Sequence, residues 1–160
     1  MSDPEEPIMP PEGISLGLRG GDAAAFDSSL TPPAADPADA PLDVPQNGIV
    51  ALRKSGGKRF TSRAVTVLRS GWAHQQPHAG PPPRPRRVTP AATEALRRLT
   101  LRARLGALPD TIGTPSPDAY AYELAARIGR RVHRVTVYDG SIPARLEPLI
   151  RALSRLLPDG

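Results

Sequence analysis

Tyr120-Ala-Tyr-Glu-Leu-Ala-Ala-Arg-Ile-Gly-Arg-Arg-Val-His-Arg-Val-Thr-Val-Tyr138 is two alternating runs with a glycine between them. Tyr120, Tyr122, Leu124, Ala126 and Ile128 fall on every second position, and the two-residue period of a strand puts them on one face. Gly129-Arg130 supplies a turn, and residues 131–138 return rich in valine. The stretch predicts a β-hairpin, stopped by Asp139-Gly140. Beyond it, Leu146, Leu149, Ile150, Leu153, Leu156 and Leu157 recur at helical spacing. Pro148 lacks an N–H and is tolerated only in the first turn, so the helix should start near Arg145–Glu147, with Ser141–Ala144 as its entry.

Reading upstream, Asp110–Asp118 is a polar loop holding two prolines. Thr89-Pro90 is a helix start: the Thr oxygen can accept from a free N–H, and proline needs no partner. Ala92, Ala95, Leu96, Leu99 and Ala103 then form an amphipathic stripe, and Gly106 with Pro109 should end it. Gly48–Arg53 and Arg63–Ser70 carry β-branched residues and flank Lys54-Ser-Gly-Gly-Lys58, which suggests a second hairpin. The order is β-β-α-β-β-α. The expected fold is α+β: a small antiparallel four-stranded sheet with two helices.

Two segments stand outside that pattern. Residues 1–47 are acidic and rich in proline and alanine. Through residue 48, nine acids face one base, Arg19, a net of −8. Such composition cannot bury a core, and a disordered tail is expected. Ile14-Ser-Leu16-Gly-Leu18 alternates within it, either by chance in coil or as a short strand-forming motif. The domain proper is read as residues 48–158, interrupted at 74–88 by a proline-rich insert whose prolines 81, 82, 83 and 85 make it a connecting loop.

Composition also narrows the function. With no cysteine, a disulfide scaffold, a thiolate metal site and a cysteine nucleophile are excluded. No nucleotide-binding glycine loop, serine-hydrolase elbow or His-Glu-x-x-His occurs; Ser55-Gly56-Gly57-Lys58 looks phosphate-like, but no helix follows it. His74 and His78 have ligand spacing without a third ligand, and His133 sits among arginines. No catalytic set, metal or cofactor is therefore assigned, and the chain is read as a non-enzyme. No apolar run approaches a membrane span, and the acidic start carries no apolar leader, which points to a cytoplasmic protein and no membrane partner.

The folded part has 20 bases and seven acids, and all but two of the chain's 21 bases are arginine. That density would suit nucleic acid, but six aromatics in 160 residues offer little stacking. Surface charge offset by the acidic tail is the preferred reading, and nucleic acid the less favoured one. A regulatory interaction domain covered by its tail is a third. Phe60, just past the double glycine, is either a core residue or an exposed anchor for a partner's pocket.

Four blocks carry a resemblance: Ile49-Val-Ala-Leu-Arg53-Lys-Ser-Gly-Gly57; the Leu/Ala helix Pro90–Leu105; Pro117-Asp118-Ala-Tyr-Ala-Tyr122-Glu-Leu124; and His133-Arg-Val-Thr-Val137-Tyr-Asp139-Gly-Ser-Ile-Pro143-Ala-Arg-Leu146-Glu-Pro148-Leu149. Over about residues 49–157 the chain resembles the emfourins, protein inhibitors of protealysin and related thermolysin-like zinc metalloproteases. Members usually place an aromatic directly after the double glycine, whereas here Lys58-Arg59 precedes Phe60. The resemblance implies a thermolysin-like protease as partner and inhibition by occupying its active-site cleft. Ser55, Gly56, Gly57, Lys58 and Phe60 are the expected contact loop. Arg127, Arg130 and Arg131 are the expected electrostatic contacts, on a chain read as a monomer.

Overall fold

The computed structural model describes residues 40–159. The tail through residue 39, with Ile14–Leu18, lies outside them. Seven strands form one sheet: β1 (Gly48–Gly56), β2 (Thr61–Leu68), β3 (Trp72–Gln76), β4 (Arg86–Arg87), β5 (Thr111–Ile112), β6 (Tyr120–Ile128) and β7 (Arg131–Tyr138), in the order β4-β3-β2-β1-β6-β7-β5. Neighbours are antiparallel except β5, which runs parallel to β7. Helices α1 (Pro90–Ala103) and α2 (Glu147–Ser154) complete the α+β architecture.

The hairpin Tyr120–Tyr138 forms as its alternation predicts, with Ile128 paired to Arg131 across the Gly129-Arg130 turn. Leu124 and Ala126 of β6 join Val50 and Leu52 of β1, Val65 and Val67 of β2, and Val135 and Val137 of β7 in the main core. Leu96 and Leu105 close that core from the α1 side, and Leu146, Leu149, Ile150 and Leu153 from the α2 side. Each such leucine withdrawn from water contributes roughly 1.5–3 kcal/mol.

The sheet exceeds the four expected strands because three of its members lack a strand's usual signature. β3 was expected to be the start of a linker. It is an outer strand whose Ala73 alone is fully buried, so Gln75, Gln76 and His74 need no apolar pattern. β4 and β5 have two residues each, too short for any periodicity.

Helix α1 begins as read: Thr89 accepts from the Ala92 N–H at 3.2 Å, and Pro90 is the first helical residue. Its end differs. Arg104 takes the left-handed conformation (φ 51°, ψ 50°) and closes the helix before Gly106, which sits in a 3₁₀ turn, Leu105–Ala107. The inward stripe is also shifted, to Leu96, Thr100 and Ala103, leaving Ala92 and Ala95 exposed. Thr100 is buried because its hydroxyl donates to the Leu96 carbonyl at 2.8 Å. Pro148 lies in the first turn of α2, as its missing N–H requires.

The largest departure is residues 40–47, expected to belong to the tail. They pack as a strap on the sheet face away from the helices. Leu42 and Val44 are buried there against Ala51, Ala64 and Ala125. The sheet beneath is alanine, so an extended chain without secondary structure comes close enough to exclude water.

Candidate functional site

β1 and β2 stay paired to the end, Gly56 opposite Thr61, so Ser55 and Gly56 belong to the strand and the loop is Gly57-Lys58-Arg59-Phe60. The expected turn at Lys54–Lys58 is thus displaced towards Phe60. Both glycines have positive φ, 109° and 87°, a region L side chains rarely adopt. A Cβ on Gly56 would strike the Ala119 carbonyl oxygen, and one on Gly57 would lie 3.0 Å from the Tyr120 hydroxyl. The Gly57 N–H donates to that same Ala119 carbonyl at 3.3 Å. Glycine at both positions lets the corner press against Ala119-Tyr120 and fixes the base of the loop.

Beyond that base the loop is open. Lys58 and Arg59 are exposed, and Phe60 is 62% exposed, so the corner presents an aromatic to solvent instead of burying it. Support comes from the proline-rich insert, which folds back. The His78 ring lies edge-on to Phe60, with centroids 6.3 Å apart at 76°, and its Nδ1 accepts from the Ser62 N–H at 3.2 Å. A segment expected only to connect therefore buttresses the loop. His78 has no sequence signal for this, since its partners lie 16 or more residues away.

Behind the corner, the Lys54 ammonium sits 3.9 Å over the Tyr120 ring and 5.6 Å from that of Tyr122. Burial lowers the Lys54 pKa, and Arg63, its partner across β1 and β2, lowers it further; Asp139 acts in the opposite sense. Burial likewise raises the Tyr122 pKa, with Asp139 and Tyr120 adding to it.

Arg127, Arg130 and Arg131 are elsewhere. Gly56 lies beside Tyr120 at one end of β6, while Ile128 and the Gly129-Arg130 turn end the other. Across the nine residues of β1 the two groups are about 26 Å apart at a strand rise of ~3.3 Å. They do not form one site. Arg127 is also engaged internally: Nη2 donates to the Val44 carbonyl at 2.6 Å, and Nε to the Val44 and Pro45 carbonyls at 3.1 and 3.0 Å. Arg130 and Arg131 are exposed at the turn.

Two more arginines complete the strap's fastening. Arg134 donates to the Leu42 carbonyl at 2.7 Å and pairs with Asp43 at 3.2 Å. Arg53, 8% exposed, reaches the Ala40 carbonyl at 2.7 Å and Glu123 at 3.0 Å, and Glu123 in turn accepts from the Leu42 N–H at 2.9 Å. Arginines that count as surface charge in the sequence here act as donors to an otherwise unpaired backbone.

Among the described residues no three His, Asp or Glu side chains group as metal ligands, and no helix is long and apolar enough to cross a membrane. His133 packs beside Gly106, where a Cβ would lie 2.9 Å from its ring. No protein-family model and no curated protein matches the chain.

Proposed function

We propose that this domain is a non-catalytic inhibitor of a thermolysin-like zinc metalloprotease, and that it works by seating the loop Gly57–Phe60 in the protease's active-site cleft. The observation that carries the reading is the exposed Phe60 on a corner whose two glycines are locked against Ala119-Tyr120. Such a loop loses little conformational freedom on docking, so more of its contact energy appears as affinity. An aromatic on a rigid turn suits a cleft that accepts a large apolar side chain, and Lys58 and Arg59 beside it would speed encounter with an acidic rim. The resemblance over residues 49–157 points to the same partner.

The test is a titration of protealysin or thermolysin activity with the full chain. Phe60→Ala should raise the inhibition constant at least about tenfold, as expected for loss of a central aromatic anchor, with the unfolding midpoint unchanged. Full protease activity at saturating protein ends the proposal.

A second reading, a nucleic-acid-associated module, has one observation in its favour. Trp72 is 38% exposed on an outer strand, with the Arg87 guanidinium 4.9 Å over its ring and Arg86 adjacent. Saturable retention on single-stranded DNA at 150 mM salt, lost in Trp72→Ala, would favour it.

A further inference from the structure

The corner has a basic flank. Between the end of β1 and α2 lies a shallow, largely open groove of about 630 Å³, with Lys54, Arg151 and Arg155 around Tyr122, Ile142 and Ile150. Its one acid is Glu147. Among the described residues none of the three cations is in an ion pair. Arg63 stands directly opposite Lys54 on the same sheet face and adds a fourth positive charge behind the groove. Its Nη1 donates to the Pro158 carbonyl at 3.0 Å, while its Nε is buried with no partner. Like charges paired across strands are destabilising. The fold tolerates this pair by laying the Lys54 ammonium on the faces of Tyr120 and Tyr122.

We infer that this groove is a docking surface for an acidic, extended segment of a protein partner, whose carboxylates meet Lys54, Arg151 and Arg155 while an apolar side chain lies on Tyr122 and Ile142. Charge complementarity selects the occupant: Lys54, Arg151 and Arg155, none of them in an ion pair among the described residues and with Arg63 beside Lys54, outnumber Glu147 in the wall and Asp139, whose charge reaches Lys54 and Tyr122. The open side suits a peptide running along the surface, because a small anion would stay largely in water and gain little there. The groove adjoins the Gly57–Phe60 corner through Tyr120, which touches both Lys54 and Gly57. If the inhibitor reading holds, on which only this placement rests, the electrostatic contacts belong to this end of the sheet and not to Arg130 and Arg131.

The experiment measures binding of the full chain to a fluorescent acidic peptide, Glu-Leu-Asp-Glu-Leu-Asp, by anisotropy, with the Gln/Asn counterpart, inorganic phosphate as competitor, and sedimentation in parallel. Saturable binding of the acidic peptide alone is expected. Arg151→Glu with Arg155→Glu, both at exposed positions, should weaken it by about tenfold or more, as two reversed rim pairs predict. Arg130→Glu with Arg131→Glu should not. No binding, equal loss at both ends, or displacement by phosphate as effective as by unlabelled peptide overturns the inference. So does a dimer that the Arg151/Arg155 substitutions dissolve, since a second copy would then be the occupant. Protease inhibition separates the two proposals. Inhibition lost in Phe60→Ala but intact in the Arg151/Arg155 variant sinks the groove as a protease contact, whereas peptide binding without any inhibition sinks the loop.

Discussion

The two faces of the sheet are closed by different physics. On one, α1 and α2 set leucines into a continuous apolar layer, with Leu52, Leu124, Leu146, Leu149 and Leu153 fully buried. On the other, an irregular strap contributes only Leu42 and Val44 and is held by hydrogen bonds from Arg53, Arg127 and Arg134 to its carbonyls. The first cover needs helices, because only they satisfy their own backbone while presenting a row of large side chains. The second needs none, because the sheet supplies donors to the strap and an alanine surface to lie on. A short coil can cover a sheet face when the sheet provides its hydrogen bonds.

Substitutions probe that contrast in order of size. Leu149→Ala removes fully buried volume from the helix-covered face and should cost about 2–5 kcal/mol, read as a lower denaturant midpoint for the whole domain. An effect below about 1 kcal/mol would mean that this layer is not the main source of stability. Arg53→Met should cost less, about 2–3 kcal/mol, by leaving the Ala40 carbonyl without its donor and the Glu123 carboxylate without its cation, held only by the Leu42 N–H. Hydrogen exchange should then quicken at the Leu42 amide well before it does in β1 and β6. Uniform loss of protection would show that the two faces unfold as one and that the contrast is only geometric.

The smallest effect concerns an ion pair on neither face. On the outer side of α1, Glu94 accepts from Arg97 at 2.9 Å and from Arg98 at 3.2 Å. Those hydrogen bonds, Arg97 first, hold its pKa at about 2 instead of the ordinary 4.5. A depressed carboxylate contributes stability above its unfolded value and loses it as pH falls between 4.5 and about 2. The side chain is 41% exposed, so solvent screens the pair and the stability change should be slight even though the titration is displaced. Carbon-detected NMR of the Glu94 carboxyl should show the low midpoint, and Arg97→Ala should raise it towards 4.5 by more than Arg98→Ala does.

Legibility followed the range of the interactions. The Tyr120–Tyr138 hairpin and both helix starts could be read because alternation, a glycine turn, Thr89-Pro90 and Pro148 act within a few residues. The α1 end was misplaced: Arg104 adopts a left-handed conformation that usually marks glycine. β3 was passed over because an outer strand needs little apolar pattern, and β4 and β5 because two residues show no period. Of the candidate site, the double-glycine corner was visible, as was Phe60 with its two possible placements. The buttress from His78 and the separation of Arg130 and Arg131 from the loop were not.

The sequence alone determined the class of fold, the charge division between acidic start and basic domain, and the corner that only glycine can turn, since each depends on composition or on backbone conformation at neighbouring residues. Tertiary structure decided which face residues 40–47 cover, which arginines are occupied by carbonyls more than 80 positions away, and which cations gather beside Tyr122. A guanidinium has the same covalent structure whether it faces water or a backbone oxygen, and only the packing of distant segments selects between them.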